Sequence, residues 1–558
     1  MEFMVKQVSS LEKIRKDVAV NCDEIHKKTV LAGERFSYQV CVWSDSMSGA
    51  TITADVSVES VFGSNVKLYL VKDVYLDMPY TEAGMENEDY LTHEPCFMPD
   101  ILVPLEDQKS ICCLDKCNTF WVKADIPKDA VPGKYEVTVH ITRKDVYGCD
   151  MVVDIHKTME IEVIPAVVEP QKLIYTRWFY ADCIAVQHNV EIYSEAHWEL
   201  IDKYIAAAAD MGINMILVPT HTPPLDTAIG TMRSCVQLVD IEKKGNKYEF
   251  SFGKFKRFID ICKKNGIQYF EMAHMFSQWG AKCAANIMVT EDGKKDYMFG
   301  WHVAANSDEY INFLKQYIAA ISKELEAEGI SENTYFHISD EPTLDNMDTY
   351  KAASDIFRPL LGKSKTFDAL SNYEFYEKGM VECPVTMVAE IHEFLEHDIP
   401  NQWAYYCCVP QKVFTNSFLA MPSYRTRILG YMLYKYDIKG FLHWGLNYYN
   451  SRISYYPVNP YLTTSADGAF PSGDGYILYP SRNGAYTSIR GLVTNEAIQD
   501  MDICRTLEKY IGREAVVKMI DEAAGMDLRF DCYPRSKAFI EDLRDKMIAK
   551  IREYSENR

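Results

Sequence analysis

Tyr335-Phe336-His337-Ile338-Ser339-Asp340-Glu341-Pro342 is an apolar, aromatic run that ends on two adjacent carboxylates and a proline. The run reads as a buried strand giving way to a loop. Two neighbouring acids at such a place carry a desolvation and repulsion cost that a merely structural turn avoids, so the pair points to chemistry. Working outward, seven more short apolar runs recur: Leu173 to Tyr180, Asn214 to Val218, Gln268 to His274, Thr366 to Leu370, Val385 to Ile391, Trp403 to Cys407 and Phe441 to Leu446. Amphipathic stretches lie between them, among them Glu195 to Met211, Phe252 to Lys264, Asp308 to Glu328, Met347 to Leu361 and Tyr424 to Tyr436. Eight strands alternating with helices predict a (β/α)8 TIM barrel over residues 169–493.

At 558 residues the chain is too long for one small core, which predicts two or three domains. Residues 1–168 read as a β-sandwich. The alternating segments Thr51 to Val58 and Tyr135 to Ile141 stand between turn residues, and Ile126 to Tyr135 places Pro and Gly ahead of a period-2 strand. Met159 to Ile164 reads as the last sandwich strand and Pro165 to Pro170 as a linker. Residues 494–558 are charged and helical and are expected to pack on the outside of the barrel. The expected fold is thus multidomain, with an N-terminal β-sandwich, a catalytic (β/α)8 barrel and a C-terminal helical extension.

Lys and Arg number 59 against 80 Asp and Glu, so the net charge of −21 is spread without a basic block and nucleic acid is a poor partner. No apolar run reaches the roughly 18 residues that a membrane helix needs, so membrane insertion is not expected. The first residues, Met1 to Gln7, lack the apolar core of a signal peptide. The 16 cysteines are irregularly spaced and include the vicinal pairs Cys112-Cys113 and Cys407-Cys408, which favours reduced thiols over a disulfide framework. A cytoplasmic location is the expectation, with release by a non-classical route left open.

In such a barrel the C-terminal strand ends face one cleft, so the candidate site residues are those at the strand ends. They supply Trp178, then His274 with Trp279 behind it, then Asp340 and Glu341. Asn372, Tyr373, Glu390, Trp403, Tyr405 and Tyr406 follow, and strand eight brings Trp444 and Asn447, with Asp474 in the loop beyond. The set suits a sugar: aromatic faces stack on the C–H faces of pyranose rings, while Asn, His and Asp orient hydroxyls. Six of the eight tryptophans lie at or beyond Trp178, with the barrel rather than the sandwich. His337 reads as a satisfied interior histidine. The candidate substrate contacts are Trp178, His274, Asn372, Tyr373, Glu390, Trp403, Trp444, Asn447 and Asp474.

No metal and no cofactor is implied. Gly362-Lys363-Ser364 lacks the upstream glycine of a phosphate loop, since Phe357 stands there. His392 and His397 are five apart and cannot share a helix face as zinc ligands. Cys112-Cys113 with Cys117 lacks a second ligand pair.

Ordinary retaining glycosidases place two carboxyl groups about 5 Å apart across the scissile bond, and inverting enzymes place them farther apart. Sequence neighbours flank a bond poorly. An adjacent pair suits substrate-assisted hydrolysis, in which a 2-acetamido oxygen attacks C1. Glu341 would be acid and then base, and Asp340 would accept the acetamide N–H and stabilise the oxazolinium-like charge. The rival two-carboxylate scheme needs a nucleophile, and with no acid in strand seven its nearest candidate is Glu390 on strand six. A non-catalytic carbohydrate-binding barrel is the third reading.

Ser339 to Pro342, Arg427 to Tyr436 leading into Gly440-Phe441-Leu442-His443-Trp444, Gly473 to Pro480, and Ser488-Ile489-Arg490 together resemble glycoside hydrolase family 123 over about residues 172–510. The resemblance implies a retaining exo-β-N-acetylgalactosaminidase that uses the substrate's acetamide, with Asp340 as stabiliser and Glu341 as acid/base. It implies a glycan ending in β-linked N-acetylgalactosamine, on a glycolipid or an oligosaccharide. A broad β-N-acetylhexosaminidase is the near alternative, although His337-Ile338-Ser339-Asp340-Glu341 lacks the two glycines usual before the acid pair in family 20.

Overall fold

The eight predicted runs form eight parallel strands that close into a barrel. They are β1 (Ile174–Arg177), β2 (Met215–Val218), β3 (Tyr269–Met272), β4 (Thr334–Phe336), β5 (Lys365–Ala369), β6 (Cys383–Met387), β7 (Trp403–Tyr405) and β8 (Gly440–His443). Closure is made by β8 pairing in parallel with β1, Ile174 opposite Gly440 and Arg177 opposite His443. The strands are near-continuous apolar runs because both faces are covered, and all four residues of β2 and of β8 are buried. The computed structural model describes residues 3–44, 52–107, 110–113, 117–144, 154–397 and 399–556.

Seven of the eight predicted runs extend one or more residues past the C-terminal end of their strand, whereas Asn214 to Val218 ends where β2 ends. β4 stops at Phe336, and His337 to Glu341 form the descent into the cleft. The chain after β2 also carries a feature with no sequence expectation, a four-stranded sheet in the order Lys247–Ser251, Asp240–Lys244, Ile287–Glu291, Lys294–Phe299. Its strands alternate charge and aromatics, as one-sided sheets do.

The N-terminal region is a two-sheet β structure. One sheet runs Phe3–Ser9, Arg35–Ser44, Asn118–Asp125, Val66–Leu76, Cys96–Pro104, each neighbour antiparallel, and Thr487 and Ser488 pair with Leu102 and Ile101 at its edge. The other runs Lys27–Ala32, Asp154–Val167, Gly133–Lys144, Ile52–Ser60, Ser110–Cys113. Tyr38, Val40 and Val42 of the first face Val137, Val139 and Ile141 of the second in one core, the period-2 alternation that the sequence displays. Thr51 of the quoted segment, and the side chains of Cys112 and Cys113, lie outside the described residues.

The segment expected as a linker from Pro165 is still strand. Asp154–Val167 continues to Val167 opposite Ala32, and a register shift between Ile164 and Val167 absorbs Pro165, which has no N–H to give the ladder.

The chain divides into two compact units: Met1–Lys172 with Gln411–Lys435 and Tyr486–Arg558, and Leu173–Pro410 with Tyr436–Ala485. The C-terminal helices Ile489–Ile511, Arg513–Ala524 and Lys537–Ser555 therefore group with the sandwich strands, and the segment joining β7 to β8 joins them. Buried charge explains this grouping. Arg427 pairs with Glu496 at 2.8 Å and Asp500 at 2.7 Å, Arg490 pairs with Asp100 at 2.9 Å, and Arg544 pairs with Glu34. An ion inside a protein needs its partner in place, so these contacts tie segments distant in sequence.

Candidate active site

The barrel's C-terminal strand ends open on one cleft lined by Trp178, Asp226, Gln278, Trp279, Asp340, Glu341, Ala369, Tyr405, Cys407, Cys408, Leu442, Trp444, Arg452, Ile453 and Phe470. Its volume is about 190 Å³. That is below the roughly 300–1,000 Å³ of pockets that enclose drug-sized ligands, and it suits one sugar ring.

Asp340 and Glu341 leave β4 through a turn held on every side. The Asp368 carboxylate at the end of β5 accepts from Ile338 N–H at 3.1 Å and from Ser339 N–H at 3.3 Å, and Tyr350 Oη donates to it at 2.6 Å. Ser339 Oγ donates to Ser277 carbonyl at 2.8 Å, Trp279 N–H donates to Asp340 carbonyl at 3.0 Å, and Glu341 N–H donates to Ala369 carbonyl at 3.1 Å. Glu341 takes φ of 43°, a left-handed conformation that a side-chain-bearing residue adopts at a cost. The surrounding bonds over-determine it.

Beneath the turn lies a buried charge network. His337 sits between two carboxylates, Nε2 at 2.9 Å from Glu271 and Nδ1 at 3.1 Å from Asp368. Burial alone would lower its pKa, but the bonds to Asp368 and Glu271 outweigh that and lift it to about 9, so the ring is an imidazolium at neutral pH. Glu271 also accepts from Trp178 Nε1 at 3.1 Å and from Thr176 Oγ1, which fixes the indole that lines the cleft. His274, His337 and Asp368 bring ligand atoms within 4.8 Å of one another. An imidazolium with both nitrogens given to carboxylates has no lone pair for a metal, so this cluster does not suit one.

Burial raises Asp340 well above the ordinary carboxylate range, and the charge of Glu341 adds to it. Burial raises Glu341 too, and the Tyr405 hydroxyl, donating to Oε1 at 2.9 Å, pulls it back. Two shielded neighbouring carboxyls cannot both ionise cheaply, so the pair holds one proton above the usual range. Gln278 orients Asp340: its Oε1 accepts from Asp226 N–H at 2.9 Å, and its Nε2 donates to Asp340 Oδ2 at 2.8 Å. Among the described residues nothing hydrogen-bonds Asp340 Oδ1 or Glu341 Oε2, and these atoms face a substrate.

Trp444 Nε1 donates to Asp474 Oδ2 at 2.8 Å, and Asp474 pairs with His443 Nε2 at 3.2 Å. The ring edge is packed by Tyr448 and Phe470, with centroids at 5.0 and 5.2 Å. This close approach requires Gly445, where a Cβ would lie 2.4 Å from Asp474 carbonyl.

Of the sequence candidates, Asp340, Glu341, Trp178 and Trp444 line the cleft. Asp474 stands behind Trp444. The others are placed elsewhere. Trp403 is a core residue, because its indole fills the space left at Gly440, where a Cβ would lie 2.2 Å from the ring, and packs on Phe367 and Tyr335. His274 is buried with its ring stacked on His337 at 3.8 Å. Asn447 spends its amide on Tyr180, accepting from N–H at 3.0 Å and donating to the carbonyl at 2.9 Å. Tyr373 stacks on His397 at 4.3 Å outside the cleft, and the Asn372 carbonyl accepts from Phe375 N–H at 3.3 Å. Glu390 is exposed ahead of the helix Ile391–Glu396, not in the cleft. Asp226, Gln278 and Phe470 were missed; Gln278 was the readable one, next to Trp279.

Residues 178–507 match the family model for the glycoside hydrolase 123 catalytic domain, and residues 12–143 match that for the glycoside hydrolase 123 N-terminal domain. The chain belongs to glycoside hydrolase family 123. A solved family 123 glycoside hydrolase from Clostridium perfringens, studied for its hydrolysis of glycolipid glycans, is similar across 100% of this chain and 98% of its own, with a TM-score of 0.72 at 15% identity. At that identity the likeness shows a shared fold. Smaller likenesses reach a PapD-like domain of human CEP192, with TM-score 0.14 and 9% identity over 29% of this chain and 84% of that one. They also reach the pilin BcpA of Bacillus cereus, with TM-score 0.16 and 9% identity over 32% and 44%. No curated protein matches. The family 123 barrel thus presents its acid pair on the loop after β4, and Tyr405 ends the β7 strand of this hydrolase.

Proposed function

We propose that the protein is a retaining exo-glycosidase that releases terminal β-linked N-acetylgalactosamine by substrate-assisted catalysis. The observation that carries this reading is the adjacency of Asp340 and Glu341 on one turn, with Tyr405 rather than an acid at the end of β7 and Glu390 outside the cleft. The galacto configuration rests on the family. A cavity sized for one ring supports exo action.

With the proton that the buried pair shares on Glu341, Oε2 gives it to the glycosidic oxygen as the bond to C1 breaks. The acetamide oxygen closes on C1 from the opposite face, and Asp340 Oδ1 accepts the acetamide N–H while its charge faces the forming oxazolinium. Glu341, now ionised, takes a proton from water attacking C1 as the bond from C1 to the acetamide oxygen breaks, which frees the acetamide and returns the β configuration. Trp444 and Trp178 offer ring faces to the sugar. The glycan is proposed to be a glycolipid or an oligosaccharide.

The test is hydrolysis of the 4-nitrophenyl β-glycosides of N-acetylgalactosamine and N-acetylglucosamine, with the thiazoline of N-acetylgalactosamine as inhibitor. Preferred cleavage of the galactosaminide, inhibition by the thiazoline, and loss of activity in Asp340→Asn on this activated substrate are expected. Cleavage of neither glycoside would refute the proposal, and equal rates would make the protein a broad hexosaminidase.

A further inference from the structure

A third carboxylate faces the same cleft, and neither the acid step nor the acetamide step uses it. Asp226 follows β2 in the run Pro223-Pro224-Leu225-Asp226 and lines the cavity with Asp340 and Glu341. Its backbone takes φ of 47°, a strained setting for a residue other than glycine. Both of its backbone polar groups are engaged. The N–H donates to Gln278 Oε1 at 2.9 Å, and the carbonyl accepts from Ser454 Oγ at 2.7 Å and Tyr448 Oη at 3.5 Å.

The side chain is held far more loosely. Among the described residues its one hydrogen bond is a long one, from Tyr180 Oη to Oδ2 at 3.5 Å. Burial pushes its pKa up to about 6, with Arg233 opposing and Glu341 adding to the rise, so the carboxylate is mostly ionised at neutral pH while still short of donors. Arg233 does not close on it: its guanidinium lies 4.8 Å over the Tyr180 ring and turns Nη2 to Pro223 carbonyl at 3.0 Å. A backbone pinned on both sides and a carboxylate left for hydrogen-bond donors is the arrangement that reads hydroxyl groups, since an ionised carboxylate accepts from two at once.

We propose that Asp226 is a specificity-determining residue that accepts hydrogen bonds from the O3 and O4 hydroxyls of the bound pyranose. The assignment rests on the function proposed above, which puts the C2 acetamide at Asp340. One glutamine side chain joins Asp340 to the Asp226 backbone, so the Asp226 carboxylate falls toward the next ring carbons, C3 and C4. C4 is where the two common 2-acetamido sugars differ, and a carboxylate placed for an axial O4 leaves the equatorial one short.

The experiment is a cycle of substrate and enzyme changes. The 4-nitrophenyl β-N-acetylgalactosaminide and its 3-, 4- and 6-deoxy analogues are assayed with wild type, Asp226→Asn and Asp226→Ala, reading kcat and KM separately. In wild type, removal of O3 or O4 should lower kcat/KM by about 10- to 150-fold, the range for a hydrogen bond to a charged group. In Asp226→Ala that penalty should shrink to about threefold or less, whereas the 6-deoxy penalty should match wild type. A merely structural role would lower kcat/KM alike for all four substrates, and that result overturns the proposal. If wild type loses less than about threefold with both the 3- and 4-deoxy sugars, the proposal is overturned without any variant. Rescue of Asp226→Ala by azide, giving the α-glycosyl azide, would make Asp226 a nucleophile and overturn it as well. Failure of the parent reading is separate, since it shows as no hydrolysis of either full hexosaminide.

Discussion

Replacing His337 by glutamine removes the one cation in a fully buried set of charges, and its cost can be worked from the site. The imidazole pKa moves from 6.5 to about 9 on folding, held by Asp368 and Glu271 against burial. At about 1.4 kcal/mol per unit, that shift corresponds to a contribution on the order of 3 kcal/mol. The side chain is 0% exposed, as are both partners, so solvent screening does not reduce the figure. Because the folded pKa is the higher one, the contribution is fully present below the unfolded value of 6.5 and is lost as pH rises through about 9. Glutamine does not titrate, so the stability difference between wild type and His337→Gln should be constant below about pH 6 and shrink by about 3 kcal/mol by about pH 9.5. Urea unfolding followed by tryptophan fluorescence at the two pH values measures this, and the subtraction cancels the titrating groups that His337 does not touch. At the lower pH the variant should be destabilised by about 3–5 kcal/mol, because Glu271 and Asp368 are left buried without their partner. A difference that stays constant within about 1 kcal/mol over the range would refute the imidazolium assignment. The same variant loosens Asp368, which holds the Ile338 and Ser339 amides, so kcat should fall on the order of 100-fold as the acid pair drifts.

Three further outcomes follow from the geometry. Glu341→Gln should nearly keep the rate of the first, bond-breaking step on 4-nitrophenyl glycosides, whose leaving group needs no proton, and lose about 10²- to 10⁴-fold in that step on a sugar aglycone, as paired single-turnover assays would show. Tyr405→Phe removes the hydrogen bond that lowers the Glu341 pKa, so the acid keeps its proton longer and the alkaline limb of kcat/KM should move to higher pH; a limb that stays or moves down would contradict the role. Gly440→Ala places a Cβ 2.2 Å from the Trp403 indole and should destabilise the barrel by about 1–3 kcal/mol in thermal unfolding, with KM for any variant that folds near wild type, since Trp403 is outside the cleft.

The barrel was legible because the short apolar strand runs alternate with periodic helices, although most strand ends fall earlier than the apolar runs do. The cleft was only half legible, for a physical reason. An aromatic residue at a strand end satisfies the same pattern whether it stacks on a sugar or fills the core. Trp403 and Trp444 differ by what stands opposite, Gly440 for one and open cleft for the other, and that is a tertiary fact. Asn447 and His274 failed likewise, each being drawn into local packing. Asp226 was invisible for the opposite reason. It lies on a loop with no period, and its exposure to the cleft depends on Gln278, Ser454 and Tyr448, which are near it only in the folded chain. The grouping of Gln411–Lys435 with the sandwich was equally beyond pattern, because the partners of Arg427 are Glu496 and Asp500, 69 and 73 residues on.

The charges of the cleft fit a reaction whose positive charge is carried by the substrate. Before anything binds, Asp226, Asp340 and Glu341 share a site screened from water; burial raises all three above the ordinary carboxylate range, and the charge of Glu341 adds to the rise of Asp226 and Asp340. Such an arrangement is costly in the resting protein. A cation appearing among the carboxylates would offset the cost, and in the proposed reaction the acetamide closing on C1 makes one. His337 cannot serve that purpose, because its charge is already matched by Glu271 and Asp368 beneath the turn; it steadies the acids without neutralising them. A conventional nucleophile would place one carboxylate against C1 and quench its own charge in a covalent bond. In the reaction proposed above Asp340 faces the oxazolinium as it forms without bonding to C1, and that role would give the strained, over-determined turn a catalytic use: the stabilising dipoles and charges are in place before the reaction needs them.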